Sequence, residues 1–223
     1  MFLCALGRPG QARSRKEFFP MKEHLMDAAV GLRAKTGRAI AVVLAAPIDS
    51  PVVLIRVQLT LTDQKAPATS QPYHEVLDLP WEEAKKAVIE TSALIEAVAT
   101  RSLSALLEEA RAKSLKVRGA GIVGAGDRNL EKIGSTHIRA HAAEGVLFRH
   151  ALQVAVERNK IAGRSFPERE IDKVAASELG MDPQSINRVL AEMGRSVGSP
   201  WRADEKAAAL GAWLCLRTAL KGS

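Results

Sequence analysis

Apolar and polar residues follow one another along the chain in patterns that predict both helices and strands. Residues 21–36 carry apolar residues at helical spacing and are followed by Gly37, a residue at which helices commonly end. Residues 39–46 form a continuous apolar run, which is typical of a strand buried on both faces. Residues 52–62 alternate between apolar and polar positions, which indicates a strand with one solvated face. The proline-containing turn between these two strands predicts that they pair as a hairpin.

The rest of the sequence predicts long helices around one more buried strand. Residues 73–79 are expected to add a weak third strand, and the apolar face of residues 80–114 predicts a long helix. The small and apolar residues at 117–124 are typical of a buried central strand. The remaining predicted elements are a helix at 137–159, a short strand at 161–166, and helices at 167–179, 182–193 and 204–220. We therefore expect one α/β domain over residues 21–223, with a mixed sheet (a hairpin plus a central buried strand), packed long helices and a helical C-terminal third.

Composition and charge narrow the range of partners. The chain has 223 residues, a hydrophobic fraction of 47% and a net charge of +7, which together favour a globular protein with anionic partners such as DNA or RNA. Aromatic residues make up 4% of the chain and include one tyrosine, which argues against a surface built to stack single-stranded bases. Residues 1–20 hold four basic residues and one acidic residue, and we expect them to form a disordered extension, with Met21 as an alternative start.

Cysteine usage and the length of apolar runs predict the cellular location. Cys4 and Cys215 lie in very different sequence contexts, and a disulfide between them is not expected, which fits a reducing compartment. No stretch approaches the roughly 20 apolar residues of a membrane helix. We therefore expect a cytoplasmic protein without a membrane partner.

The glycines at 119–126 contain the spacing GxGxxG, which occurs in dinucleotide-binding proteins. In those proteins the glycines follow a strand and open a helix, where free backbone N–H groups meet the pyrophosphate. Here they fall within the predicted central strand, and the next predicted helix begins about a dozen residues later. This position favours close packing of the sheet over cofactor binding.

The predicted helix at 137–159 carries polar residues along one face. His137, His141 and Glu144 lie at positions i, i+4 and i+7 of that helix. Three interpretations remain open. The residues pair with one another for structural reasons, they ligate a metal ion, or His141 and Glu144 act as acid and base in a catalytic pocket.

The order of the predicted elements over residues 38–220, with Asp204 opening an alanine-rich last helix (DEKAAALGAWLCL), resembles the RNase H-like fold and, within it, the RuvC-type Holliday-junction resolvases. Asp204 on its own is also a suitable helix N-cap. The resemblance implies a nucleic-acid-binding protein with Asp204 at the place of a catalytic aspartate, and Mg²⁺ or Mn²⁺ as the cofactor if the protein is a nuclease. Residues 137–149 resemble segments of bacterial proteins, which implies a bacterial source.

The acidic residues depart from the pattern of that family. The family's first strand carries an aspartate followed by a glycine, whereas residues 39–46 contain no acid. The family's central strand ends near a glutamate, and the nearest acids here are Asp127 and Glu131. The family's last helix has two acids one turn apart, but one turn after Asp204 the residue is an alanine. These differences imply an atypical or inactive nuclease, or nuclease chemistry rebuilt around Glu144.

The sequence leaves three functions open, and it does not decide whether the protein is an enzyme. The first is structure-selective nucleic-acid binding, with Asp204, Glu144 and His141 as candidate catalytic residues. The candidate phosphate contacts are Arg164, Arg169, Lys173, Arg188, Arg195 and Arg202. The second is an enzyme of another class that uses a His141/Glu144 pocket. The third is a non-catalytic homodimer that pairs through the strand edge at Val53 and Ile55.

Overall fold

The computed structural model describes residues 25–221 of the chain. The strands within these residues are β1 (Met26–Lys35), β2 (Arg38–Ala45), β3 (Val52–Thr60), β4 (Leu115–Gly124) and β5 (Ala162–Pro167). The α-helices are α1 (Trp81–Ala87), α2 (Ile89–Ala112), α3 (Thr136–Arg158), α4 (Ile171–Leu179), α5 (Pro183–Val197) and α6 (Ala203–Lys221), with short 3-10 helices at Pro67–Thr69 and Leu130–Lys132. The extension expected at residues 1–20 lies outside the described residues.

The strands form one mixed sheet in the order β3-β2-β1-β4-β5. Strand β2 is antiparallel to β1 and β3, while β4 pairs parallel with β1, and β5 parallel with β4. A five-stranded sheet in this order, with only its second strand reversed, is the arrangement of the RNase H-like fold. The predicted fold class is therefore confirmed, as are the hairpin of β2 and β3, the central strand β4 and the helical C-terminal third.

The predicted helix at residues 21–36 is wrong, because the described part of this segment is the central strand β1. β1 hydrogen-bonds to β2 on one side and to β4 on the other, and helices cover both faces of the sheet, so residues Ala28–Ala34 are buried on both faces. A strand buried on both faces shows no polar alternation, and its alanines also favour a helix. Gly37, predicted to end a helix, instead adopts a positive φ of 74° in the turn from β1 to β2.

The weak strand predicted at residues 73–79 is also absent, since the segment forms successive turns. The predicted long helix at 80–114 is present as α1 and α2, with a break at Val88. Within the turns, Tyr73 stacks on Trp81 with ring centroids 5.4 Å apart. This contact holds the turn segment against the start of α1.

Each face of the sheet is covered by a different set of helices. Val30 and Leu32 of β1 pack with α2 and α3 on one face, while Ala29 belongs to the core formed with α4, α5 and α6 on the other. A Cβ atom on Gly31 would overlap the carbonyl oxygen of Ala208, and one on Gly121 would overlap that of Gly211. The backbone of α6 therefore lies directly on β1 and β4, which fixes the start of this helix beside the ends of those strands.

Two further contacts hold α6 and the chain that leads into it. The guanidinium of Arg56 on β3 donates hydrogen bonds to the carbonyl oxygens of Gly198, Ser199 and Pro200. The indole of Trp213 in α6 donates to the carbonyl oxygen of Ile48 at 2.7 Å.

Among the described residues no helix has both the length and the apolar character needed to span a bilayer.

Candidate functional sites

The first candidate site surrounds Arg33, at the end of β1 where α6 begins. Arg33 is 5% exposed, and its guanidinium makes an ion pair with Glu168, which directly follows β5. Its Nε atom lies 3.3 Å from Oδ1 of Asp204, and Nη1 donates to the carbonyl oxygen of Ala34 at 2.9 Å. A buried cation is thus paired with carboxylates from two other elements. We call Arg33, Lys35, Glu168 and Asp204 the arginine cluster.

Asp204 is free to join the arginine cluster because another residue caps α6. The helix begins at Ala203, so Asp204 is its second residue and not the N-cap predicted from the sequence. Glu205 instead accepts a hydrogen bond from the backbone N–H of Arg202 at 2.8 Å, which is the reciprocal half of a capping box. The carboxylate of Asp204 is left to pair with Arg33 and with Nζ of Lys35, which lies 3.4 Å away.

The end of β4 contributes no acid to this cluster. The strand ends in Gly124, and a Cβ atom there would be 3.3 Å from Cβ of Arg149 on α3. Arg149 makes an ion pair with the exposed Asp127, one of the two acids considered near this strand. The other, Glu131, lies exposed in a 3-10 helix.

The arginine cluster does not fit the two-metal chemistry of RNase H-like nucleases, which needs several carboxylates around ions about 4 Å apart. The only acid on β1 is Asp27, at the opposite end of the strand, where it pairs with Arg118 at 2.7 Å. Beside Asp204 the strand supplies a guanidinium instead of a carboxylate. Arg33 was missed from the sequence because its segment was predicted to be a helix.

The six basic residues proposed as phosphate contacts are in different environments. Arg164 is held in the fold by a bidentate pair with Glu178, at 2.6 and 2.9 Å, and its guanidinium lies 4.8 Å from the ring centroid of Phe166. Arg195 lies 3.6 Å from Glu192 on the same helix. Arg169, Lys173, Arg188 and Arg202 are exposed. A role in phosphate binding stays a prediction for all six.

The second candidate site joins α3 to the turn segment before α1. Ser135 caps α3 by accepting from the backbone N–H of Ile138, and this start places His137 and His141 one turn apart on the exposed face. His74 from the turn segment completes a triangle with them, its ring centroid 5.1 Å from that of His137 and 4.4 Å from that of His141. We call these three residues the histidine cluster.

Glu144 lies beneath the histidine cluster and is completely buried. Its Oε1 atom is 2.7 Å from Nδ1 of His74 and also accepts from the backbone N–H of His74 at 3.3 Å. An ionised carboxylate accepts only, so in its pair with a neutral imidazole the proton of His74 lies on Nδ1 and Nε2 is the nitrogen that carries the lone pair. The residues predicted on one face of α3 are therefore brought together, but around a histidine from a distant turn that gave no sequence signal.

The structure does not bring Asp204 together with Glu144 and His141. Asp204 starts α6 and pairs with Arg33, whereas Glu144 and His141 belong to α3 on the opposite face of the sheet. A single active site made of these three candidate residues is therefore not formed.

The edge strand proposed for a homodimer is β3, which has β2 as its only partner in the described sheet. Val53 and Ile55, chosen from the sequence as edge residues, are buried against the core, while Val52 and Leu54 are the exposed apolar residues of this strand. Substituting Val53 or Ile55 would therefore perturb folding instead of reporting on a dimer.

Comparison with known proteins finds similarity in architecture alone. No protein-family model and no curated protein matches the sequence. The chain is similar to the structure of Thermus thermophilus RuvC, with 11% identity, a TM-score of 0.49, and coverage of 87% of this chain and 96% of that one. It is also similar to T. thermophilus RuvC in complex with a Holliday junction substrate, with 11% identity, a TM-score of 0.46, and coverage of 84% of this chain and 90% of that one. A third similar structure is the yeast mitochondrial Holliday junction resolvase Ydc2, with 13% identity, a TM-score of 0.43, and coverage of 91% of this chain and 85% of that one. The strand order assigns the RNase H-like fold to this chain independently of these likenesses.

Proposed function

We propose that the protein binds structured nucleic acid and does not cleave it at the place where RNase H-like nucleases hold their metal ions. The observation that carries this proposal is Arg33, a buried guanidinium beside Asp204 at the start of α6. The chain keeps the sheet and the last helix of the nuclease fold but has a cation where a metal-binding carboxylate is needed.

Electrostatics support the absence of metal-dependent cleavage at the arginine cluster. Two unit charges 4 Å apart interact by about 4 kcal/mol at an effective dielectric constant near 20, so each nearby cation opposes a divalent ion by about 8 kcal/mol. Arg33 and Lys35 together therefore offset the attraction that Asp204 and Glu168 would exert on the ion. The carboxylate of Asp204 already accepts from Lys35 and faces Arg33. A metal ion would have to displace both cations, and only the partly exposed Glu168 would remain to share it.

The charge of the chain supports nucleic acid as the partner. The net charge is +7, and Arg169, Lys173, Arg188 and Arg202 are exposed around α4, α5 and the start of α6. These elements belong to the sheet face that carries α6. Phosphate contacts made by such residues release counterions, so the affinity falls steeply with salt concentration.

The test is a titration of the protein against labelled four-way junction, linear duplex, RNA–DNA hybrid and single strand. Each is measured at two salt concentrations with Mg²⁺ or Mn²⁺, and every end-point sample is checked on a gel for cleavage. We expect binding that weakens with salt, preference for a structured substrate over single strand, and intact nucleic acid at the end. Metal-dependent cleavage that is lost in Asp204→Asn would overturn the non-cleaving part of the proposal.

Substitutions identify the binding face. Arg169→Ala and Lys173→Ala are each expected to lower the slope of log affinity against log salt by about one. Lys113→Ala is the matched control, because Lys113 is an exposed base at the end of α2 on the opposite face of the sheet. No binding by the wild-type protein to any of the four substrates would refute the nucleic-acid function itself.

A further inference from the structure

We infer that the histidine cluster, made of His74, His137 and His141, is a binding site for one divalent transition-metal ion of the zinc class. Within the described residues these three side chains are the one group of three or more potential ligands whose donor atoms all lie within 4.8 Å of one another. Zinc binds imidazole nitrogen at about 2.0–2.1 Å, so small side-chain rotations bring the three donor atoms to a common ion.

Two elements of different character supply the ligands. His137 and His141 lie one turn apart on α3, so their side chains project from the same face of a rigid helix. His74 comes from the turn segment, which is held in place by the stacking of Tyr73 on Trp81. The rings of His137 and His141 are 4.5 Å apart and nearly perpendicular, at 86°. This arrangement surrounds a common point and does not stack the rings on each other.

The independent evidence for a ligand is the buried pair beneath the cluster. Glu144 is 0% exposed and accepts from Nδ1 of His74, while its Oε2 atom has no hydrogen-bond partner. Nε2 of His74 is likewise buried without a partner. Buried polar atoms of this kind are costly unless something satisfies them. An ion at Nε2 satisfies the imidazole directly, while Glu144 stays bonded to the other nitrogen of the same ring.

A carboxylate that holds the far nitrogen of a ligating histidine is a recurrent feature of metal sites. Such a partner fixes the tautomer and orientation of the ring and makes the ligand more basic. Glu144 stands in this relation to His74, because the distance between Oε1 and Nδ1 is 2.7 Å. Glu144 is therefore a positioning residue for the ion, not one of its ligands.

The ligand set selects the class of ion. Three neutral imidazoles suit Zn²⁺ and its neighbours in the transition series, whereas Mg²⁺ and Ca²⁺ require oxygen ligands. His137 and His141 are exposed, so the fourth position of a tetrahedral ion faces solvent and takes a water molecule or another exchangeable ligand. The ion would also cross-link the turn segment to α3.

The experiment is a metal titration of the untagged full-length chain after treatment with a chelator. Zn²⁺ binding is measured by competition with a chromophoric chelator, and Co²⁺ is used as a spectroscopic probe of tetrahedral coordination. We expect one tight site per chain and an intense visible Co²⁺ spectrum. His141→Ala should remove both signals, and Glu144→Gln should weaken Zn²⁺ binding by 10–100-fold, a range typical of lost outer-sphere partners.

His150→Ala is the matched control, because His150 lies exposed on the same helix and is 3.9 Å from Glu96, away from the cluster. It should leave affinity and spectrum unchanged. Absence of a tight site in the wild type, or loss of affinity in the control equal to that in His141→Ala, overturns the inference. Circular dichroism of each variant separates loss of ligand from loss of fold. The readout needs no nucleic acid, so it stands apart from the proposed function.

Discussion

At the scale of single residues, the proposal that the chain does not cleave nucleic acid at the start of α6 depends on one side chain. Arg33 lies beside Asp204 and Glu168, and it is the only cation of the three. Arg33 is buried, whereas Glu168 is exposed and Asp204 is partly exposed, and a buried charge that loses its partners is costly. Replacing this one charge should change what the site binds.

We expect Arg33→Asp to create an affinity for divalent ions. The new carboxylate, Asp204 and Glu168 would repel one another without metal, so the variant should be less stable than the wild type, by about 3–5 kcal/mol as for other broken buried pairs. Mn²⁺ should restore part of this loss, since a ligand at 100 times its Kd stabilises the fold by about 2.7 kcal/mol. Thermal melts with and without Mn²⁺ measure both effects.

Arg33→Met is the control for this variant, because it removes the charge while keeping a long apolar stem. It should be destabilised without responding to Mn²⁺. An equal rise in Tm with Mn²⁺ in the wild type and in Arg33→Asp would show that the ion acts elsewhere and would contradict the role given to Arg33.

At the scale of elements, the packing of α6 on the sheet depends on glycine. Gly31 of β1 lies directly under the carbonyl of Ala208, and the obstacle to a larger residue is backbone, which cannot turn aside as a side chain can. Overpacking in a core costs about 1–3 kcal/mol and occasionally more. The cost here should be at the upper end of that range.

We expect Gly31→Ala to lower the free energy of unfolding by about 3 kcal/mol or more, because α6 must move away from β1 to admit the methyl group. Urea denaturation monitored by circular dichroism measures the change. Gly134→Ala provides the comparison, since no atom lies within 4 Å of a Cβ built there. Equal stability of the two variants would contradict the close contact between α6 and β1.

The join between β5 and α4 carries a pH dependence. A hydrogen bond from Arg164 holds the pKa of Glu178 below its ordinary value of 4.5. A carboxyl whose pKa is lower in the folded chain stabilises the fold above its ordinary pKa, and this contribution is lost as the pH falls through the lower, folded-state value.

We therefore expect Glu178→Gln to be less stable than the wild type at neutral pH and to approach it in acid. Urea unfolding at neutral pH and well below the ordinary carboxyl pKa makes the comparison. Glu192→Gln, which removes an exposed partner of Arg195 3.6 Å away, should show a much smaller difference at neutral pH. If the difference in the free energy of unfolding between Glu178→Gln and the wild type were the same at both pH values, packing and not charge would join β5 to α4.

At the scale of the whole molecule, the sequence predicted most elements but not the one at the centre. The half-solvated strand β3 and the long helices were predicted from the regular spacing of their apolar residues. Asp182 caps α5 through its side chain, as predicted. The central strand β1 has no such period, because burial on both faces removes the polar positions that define one. Its alanines then favoured the wrong assignment.

The wrong helix assignment of β1 prevented prediction of the arginine cluster, and the distance along the chain between its histidines prevented prediction of the histidine cluster. Arg33 could not be placed beside Asp204 while its segment was assigned to a helix. His74 lies 63 residues before His137 in the chain, within turns that no local pattern connects to α3. Local patterns identify which face of α3 is polar, but only the tertiary fold supplies the third histidine and shows that Glu144 is buried beneath it.

The direct contact between the backbone of α6 and that of β1 and β4 also limits how the molecule can move. A helix separated from a sheet by large side chains can slide while those side chains change rotamer. Here the strand glycines lie against helix carbonyls, so α6 and the central strands have no deformable layer between them. We therefore expect them to open as one cooperative unit, and slow hydrogen exchange to extend across both. Motions that accompany ligand binding must then arise in the outer layers, in α4, α5 and the turn segment, around an immobile centre.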